Sequence, residues 1–207
     1  MNLTDRKLHV VGIGGTLREG STGLRALEEA LRAAEEAGAT TELLDLHELA
    51  LPMYEPGKPL EEYGENVKRL VEAMRCSDAM LWSTAAYHGT LAGVTKNALD
   101  FAQFLARDER PYLQDRTVGL IATAGGDMAA VNAVSAMVNV VHALRGIAAP
   151  LSVPVTQPWK VFDEEGKIRD EGISGRLKSL GRLVVEMAVK LGTDAGEPAE
   201  RTLKTVA

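Results

Sequence analysis

The stretch Gly12-Ile-Gly-Gly-Thr-Leu-Arg-Glu-Gly-Ser-Thr22 constrains this chain more than any other. It follows an apolar run, Leu8 to Val11, that reads as a short buried strand, and a helical pattern begins directly after it. A strand that passes through a glycine-rich turn into a hydroxyl-bearing helix start can cradle a phosphate. Helix N-termini leave N–H groups unpaired and carry partial positive charge. Gly14 and Gly15 permit the tight turn, Thr16, Ser21 and Thr22 add hydroxyl donors, and Arg18 adds a cation suited to a pair of phosphate oxygens. A dinucleotide fingerprint would need glycine where Leu17 stands, and a P-loop would need lysine where Ser21 stands. A phosphatase loop of the cysteine type would need a cysteine here. What remains suits a terminal monophosphate better than a pyrophosphate or triphosphate. The same residues also fit an ordinary strand-to-helix turn with an N-cap serine, so the loop alone leaves both readings open.

Beyond this loop the chain alternates helical and extended patterns. Leu24, Leu27, Leu31 and Ala34 recur at helical spacing, and Gly38 closes that helix. Thr40 to Leu46 reads as a second strand, and Val67, Leu70, Val71 and Met74 mark a second amphipathic helix. Asp78 to Ser83 reads as a third strand, with a small-residue exit from Thr84 to Gly93. A third helix starts near Val94 and shows Ala98, Phe101, Ala102 and Leu105 on one face. Thr117 to Thr123 reads as a fourth strand, again with a glycine-rich exit, Ala124-Gly-Gly-Asp127. Met128 to Leu144 has no charged side chain and reads as a helix apolar almost all round. Ala148 to Val155 is the fifth strand, Val161 to Ile168 a small hairpin around Gly166, and Leu177, Leu180, Val184, Met187 and Leu191 mark the closing helix.

This order predicts an α/β fold: a five-stranded parallel sheet covered by helices on both faces, a three-layer sandwich of flavodoxin-like strand order 2-1-3-4-5. Ligands bind such sheets outside the carboxyl ends of the strands, at the switch point between the first and third. The glycine-rich loops after strands one, three and four therefore converge on one site. Residues 1–192 are expected to form this domain and residues 193–207 a polar tail.

Composition narrows the function. A net charge of -6 argues against non-specific binding to nucleic acid or to an anionic membrane. The one cysteine, Cys76, excludes an intramolecular disulfide, and Met-Asn-Leu-Thr-Asp at the start lacks the layout of a signal peptide. A cytoplasmic protein is the expectation. His9, His47, His88 and His142 show no metal-ligand spacing, so no metal is expected. Cys76, between a helix and a strand, is expected to be buried and inert, and Trp82 to sit in the core. Trp159, in the turn Gln157-Pro158-Trp159, is open.

Two motifs together resemble one family. The phosphate loop reads Gly15-Thr-Leu-Arg18-Glu-Gly-Ser21, and the exit of the third strand reads Ala85-Ala-Tyr87-His88-Gly89, followed by Gly93 and Thr95-Lys96-Asn97-Ala98-Leu99-Asp100-Phe101. From Leu8 to Leu191 the chain resembles the NADPH-dependent FMN reductases of flavodoxin-like fold. Threonine replaces the family's first loop serine, Gly23 a later asparagine, and His88 the asparagine of Tyr-Asn-Gly; two prolines of the pattern are alanines here. The resemblance implies FMN, with its phosphate at Thr16, Arg18, Ser21 and Thr22. It implies that Ala85, Ala86, Tyr87, His88 and Gly89 border the flavin ring and that Gly125 and Gly126 approach its other side.

It further implies NADPH or NADH as hydride donor and a small-molecule electron acceptor such as free flavin or a quinone. Bound flavin carries the chemistry, so no catalytic residue is nominated. Lys96, Asn97 and Asp100 are expected to hold loop and helix together. An FMN-carrying electron-transfer protein and a flavin-binding partner without turnover are the competing readings. The long uncharged helix predicts a second copy covering one side, Met137, Val140 and Leu144, while Val131, Val134, Val138 and Val141 form another apolar stripe. Family members are typically dimers or dimers of dimers, so a homodimer or homotetramer is expected.

Overall fold

The computed structural model describes residues 7–193. The residues read for a signal peptide, and residues 194–207 of the expected 193–207 tail, lie outside the described residues. The chain runs β1 (His9–Gly14), α1 (Thr22–Glu36), β2 (Thr40–Asp45), the single turn α2 (Leu46–Leu49), α3 (Glu65–Cys76) and β3 (Ala79–Tyr87). It continues with β4 (Thr90–Leu91), α4 (Gly93–Asp100), β5 (Thr117–Ala124), α5 (Asp127–Ala143), β6 (Ile147–Thr156), the single turn α6 (Pro158–Val161) and α7 (Glu171–Thr193).

The sheet order is β2-β1-β3-β5-β6, every neighbour on this path parallel. This is the expected flavodoxin-like order with one addition. The short strand β4 pairs antiparallel with the end of β3, so the sheet has six strands rather than five. Sequence periodicity missed β4 because two residues carry no period. Burial follows position in the sheet. All eight residues of central β5 are buried, whereas edge strand β2 buries only one residue fully. β6 tolerates Pro150 and Pro154 because it is the other edge, and Pro150 falls where the register slips between Val118 and Leu120.

Two apolar layers hold the sandwich together. On one face Trp82, Phe101, Met74, Met80 and Met137 pack with α3, α4 and α5. On the other Val10, Leu27, Leu81, Ile121, Leu177 and Leu180 pack with α1 and α7. Trp82 is core, as expected, although its Nε1 has no hydrogen-bond partner. The third helix is shorter than its apolar face implies: α4 ends at Asp100 and the chain tightens into a 3₁₀ segment over Phe101–Leu105.

Two expectations are corrected. Cys76 is exposed, not buried, because it ends α3 at the rim of the sheet. Its thiol donates to Glu72 Oε1 at 3.1 Å, and that hydrogen bond, together with partial burial, pushes the thiol pKa up. The second concerns α5. Met137 is fully buried against the sheet with Ala130, Ala133, Val134 and Val141, so it does not face outward. The outer face carries Met128, Val131, Asn132, Ser135, Asn139 and His142, all exposed, after an exposed Asp127 at the helix start: it is not uniformly apolar.

α1 and α7 lie in close contact at Gly181, where an added Cβ would stand 2.0 Å from the Ala30 carbonyl oxygen. That oxygen belongs to helix backbone and cannot rotate away. Gly181→Ala should therefore destabilise the fold by about 3 kcal/mol, the upper range for overpacking. Gly175→Ala on the same helix, where a Cβ meets nothing within 4 Å, should instead stabilise by about 0.5–1 kcal/mol. Urea midpoints of the two variants check this, and equal midpoints would refute the close-contact account.

Candidate functional site

Between β1 and its neighbours β2 and β3 the winding reverses, and the chain crosses the carboxyl ends of β1, β3 and β5 in three adjacent loops. In the first loop, Gly15 has φ 94°, and a Cβ there would also stand 2.9 Å from Asp45 Oδ1. Glycine is required on both counts. The Thr16 hydroxyl accepts from the Arg18 N–H at 3.1 Å and folds the loop tip back. Ser21 is the N-cap of α1, its Oγ accepting from the Leu24 N–H at 3.1 Å, while the Ser21 carbonyl accepts from Arg25. The N–H groups of Thr22 and Gly23 are left without an acceptor among the described residues. Arg18 is exposed and makes no ion pair among the described residues.

The wall behind this helix start is lined with hydroxyls. Ser83 Oγ donates to the Gly23 carbonyl at 2.8 Å, which ties α1 to β3. A Cβ on Gly23 would lie 3.1 Å from Ser83 Oγ and 3.5 Å from Thr123 Oγ1. Thr123 is buried, and its hydroxyl has no partner among the described residues. Its oxygen is not among the fully enclosed unpartnered polar atoms, so it is open to a ligand or to water. Neither Ser83 nor Thr123 stood out in the sequence. They alternate with apolar neighbours inside strands that read as continuously buried.

The second loop is a hairpin. Ala86 pairs with Leu91 and Tyr87 with Thr90, leaving a two-residue turn in which His88 (φ 50°) and Gly89 (φ 83°) both have positive φ. This is the primed turn that asparagine-glycine usually builds, here built by histidine-glycine. The missed β4 was therefore legible in the dipeptide, though not in any periodicity. Thr84 Oγ1 pins the hairpin base: it lies 3.0 Å from Thr95 Oγ1, donates to the Ala85 carbonyl and accepts from the Ala92 N–H at 3.0 Å. Asn97 accepts from the Tyr54 N–H at 2.9 Å and donates to the Pro52 carbonyl at 2.8 Å, and Lys96 pairs with Asp100. Asn97 thus has the architectural role expected of it, extended to the loop before α3. Tyr87 is 57% exposed and His88 is exposed beside it, so neither is a buried anchor.

The third loop leaves β5 through exposed Gly125 and Gly126 into α5, whose N-terminus has no side-chain cap. Trp159, in the single turn after β6, lies over this loop. A Cβ on Gly125 would be 3.6 Å from Trp159 Cη2. All the sequence-predicted site residues thus sit on these three loops at one end of the sheet, forming an open shelf between hydroxyl-rich α1 and the glycines of β5. A cleft of about 510 Å³ lies among the loops at the opposite sheet end, lined by Arg75, Cys76, Asp78, Asp108, Arg110 and Arg116. No three His, Cys, Asp or Glu side chains gather as a metal site among the described residues, nor is any described helix long and apolar enough to cross a membrane.

Residues 8–160 match the sequence profile of the NADPH-dependent FMN reductases. The chain belongs to that family. A curated relative, the FMN-dependent NADPH-azoreductase of Staphylococcus aureus, is 30% identical over 106 residues, 51% of this chain and 53% of that protein. The chain therefore spans about half the length of the curated relatives it matches. Among solved structures, RosB with a bound riboflavin-5'-phosphate derivative superposes with TM-score 0.71 at 16% identity, covering 90% of this chain and 81% of that one. FerB of Paracoccus denitrificans, an NAD(P)H:acceptor flavoenzyme, gives 0.64 at 22% identity over 88% and 98%. An apo NADH:FMN oxidoreductase, EMOB, gives 0.68 at 17% identity over 93% and 92%. At these identities the likeness shows the fold.

The hairpin base offers a direct check of this local construction. Thr84→Val keeps the shape but removes the acceptor for the Ala92 N–H and the Thr95 hydroxyl. It should destabilise the protein by about 1–3 kcal/mol, the cost of leaving buried polar groups unpaired. Denaturant unfolding measures that loss, and faster amide exchange at Ala92 should accompany it.

Proposed function

We propose that this chain is an NAD(P)H-dependent FMN reductase that passes electrons to a small-molecule acceptor, free flavin, a quinone or a similar compound. The observation that carries the reading is the start of α1. Two N–H groups without an acceptor, the N-cap hydroxyl of Ser21, the hydroxyls of Thr16 and Thr22, and the Arg18 guanidinium, which makes no ion pair among the described residues, all fall within residues 16–23 at this helix start. That donor set fits the terminal phosphate of FMN, and the orphan hydroxyl of Thr123 fits a polar ligand rising from the same place. Family membership and the printed activities of the relatives support the same reading.

When bound, FMN supplies the redox chemistry by accepting a hydride and releasing electrons to the acceptor. The protein's part is to bind, orient and leave room. Thr16, Arg18, Ser21 and Thr22 hold the phosphate by charge and hydrogen bonds. Ala85, Ala86, Tyr87, His88 and Gly89 bound the ring on the β3 side, with the primed turn fixing Tyr87 and His88 in position. Gly125 and Gly126 carry no side chain, so a flat ring can approach their backbone closely. The exposed shelf leaves one side open for nicotinamide and then for the acceptor. A hydride step between two rings needs no proton relay, and no acid–base pair is assigned.

Assembly belongs to the same reading. Beyond Asp127 at its start, the exposed face of α5 is uncharged, and it includes Val131, 47% exposed. It follows directly on the Gly125–Gly126 loop. We infer a homodimer, alone or paired into a tetramer, formed across this face. Val131→Glu should then shift sedimentation toward the monomer and lower flavin retention. A wild-type monomer at micromolar concentration with full flavin content would overturn the dimer.

Arg18→Ala should weaken FMN binding by about 1.5–3 kcal/mol, tenfold or more, the scale of a charge-assisted hydrogen bond. Fluorescence titration of the apoprotein measures it, and an unchanged affinity would sink the phosphate assignment. Activity is tested by adding NADPH, then NADH, to the yellow protein without air. Bleaching supports the reductase; a protein that stays yellow is an electron carrier or a binding partner instead.

A further inference from the structure

Trp159 is one of only two tryptophans, and it is spent on the surface. It is 65% exposed, whereas Trp82 is fully buried. Its position is built rather than incidental. The N–H of Gln157 donates to the Ala124 carbonyl at 2.9 Å, which joins the end of β6 to the end of β5. Gln157 itself adopts the left-handed conformation, φ 46° and ψ 58°, a sparsely populated region for a residue with a side chain. Pro158 then takes the first position of the helical turn, where its fixed φ suits and its missing N–H costs nothing. The result points the six-membered edge of the indole, Cη2 and Cζ3, over Gly125 at 3.6–3.7 Å from where a Cβ would be. Any side chain at Gly125 would lie against the ring.

The indole therefore overhangs the β5 exit from the β6 side. The phosphate loop stands at the β1 end, and the exits of β3 and β5 lie between them. Three strand spacings separate β1 from β6, about 14 Å. A ring system tethered by a phosphate at α1 would lie across that interval, with Trp159 at its far boundary. Tyr87, at the end of β3, and Met128, in the first turn of α5, are also exposed at this end of the sheet. Nothing else in the described residues accounts for holding a bare indole there. Its hydrogen bonds and ring contacts are absent among the described residues, so it is not a packing element.

We propose that Trp159 is the aromatic wall of the acceptor position and selects flat aromatic acceptors over non-aromatic ones. It is a specificity-determining residue, not part of the phosphate or flavin-ring contacts assigned above. An offset stack against an indole favours a planar ring beyond the area it covers, and a small inorganic oxidant gains nothing from it. This inference rests on the reading of the shelf as a flavin site.

The test compares wild type, Trp159→Ala and Trp159→Phe as FMN-loaded proteins, with NADPH as donor. The acceptors are 1,4-naphthoquinone and ferricyanide. Trp159→Ala should raise KM for the quinone about tenfold, the scale of one aromatic pair, and leave KM for ferricyanide and the FMN affinity unchanged. Trp159→Phe, which keeps a ring, should restore most of the quinone KM. A second readout needs no turnover. The emission present in wild type and missing in Trp159→Phe should be quenched saturably by the quinone in the oxidised holoprotein. Equal changes for both acceptors, no change for either, non-saturable quenching, or a wild type that reduces ferricyanide and not the quinone would each overturn the proposal. Weaker FMN binding by Trp159→Ala would also overturn it, by making Trp159 a flavin contact. Failure of the underlying reading looks different: Arg18→Ala would then leave FMN affinity intact, or no variant would bind FMN at all.

Discussion

The seating of α1 on β1 and β3 is the constraint on which the rest of the structure depends. Gly12 and Gly14 face the helix, and a Cβ on Gly14 would stand 2.7 Å from Ser83 Cβ and 2.9 Å from Leu27. Removing those side chains brings the helix down until Ser83 Oγ reaches the Gly23 carbonyl. That distance places the free N–H groups of the first turn directly above the sheet rather than out in solvent. On the proposed reading, the anion site would be a by-product of close packing: glycine in the strand fixes the height of the helix, and the height decides where its partial charge acts. α7 repeats the device from behind, since Gly119 admits Leu180 and Val184 to the sheet and Gly181 admits the Ala30 carbonyl.

Much of this was legible in the sequence, for identifiable reasons. Strand order followed from alternation, because buried parallel strands read as unbroken apolar runs and right-handed crossovers leave few alternatives. The three loops were visible because glycine and hydroxyl residues interrupt those runs at strand ends. What stayed hidden depends on which side of an element faces which neighbour. α5 shows this. Its helical period offered two apolar stripes, and only the packing assigned Met137 inward and Asn132, Ser135 and Asn139 outward. Ser83, Thr84 and Thr123 were hidden for the opposite reason: one hydroxyl inside a buried run looks like tolerated core until a partner across the sheet is known. Cys76 misled because residue-type burial habits ignore a position at a helix end.

On the proposed reading, a preference for FMN over larger flavin nucleotides would follow from what the first loop lacks. A pyrophosphate needs backbone N–H groups over two phosphate units and therefore a longer glycine cradle. Here Leu17 and Arg18 occupy the loop tip, and both are exposed. On the proposed reading Arg18 at the tip would supply charge for one phosphate, and Thr16, Ser21 and Thr22 the hydroxyls. Specificity in this loop lies as much in which positions are not glycine as in which are.

The two ends of the sheet divide stability from function. At the amino ends, Arg116 is buried and donates to three carbonyls, those of Ser77 at 2.9 Å, Tyr112 at 2.9 Å and Arg75 at 2.6 Å. Burial, and after it the nearby Arg110 charge, push its guanidinium down to about 10, yet it stays charged at neutral pH. The unpaired carbonyls at the end of α3 and the chain before β5 are thereby locked to one side chain. Replacing it would remove the side-chain donor from all three oxygens at once. The carboxyl ends are built the other way. There the donors are left free, the aromatic residues Tyr87 and Trp159 are exposed, and left-handed residues hold the turns at His88 and Gln157. Left-handed residues are not confined to that end, since Tyr112, Asp115 and Arg145 carry positive φ in the turns at the amino ends, where the buried Thr117 hydroxyl also lacks a partner among the described residues; what sets the carboxyl ends apart is that their donors and aromatic rings are exposed.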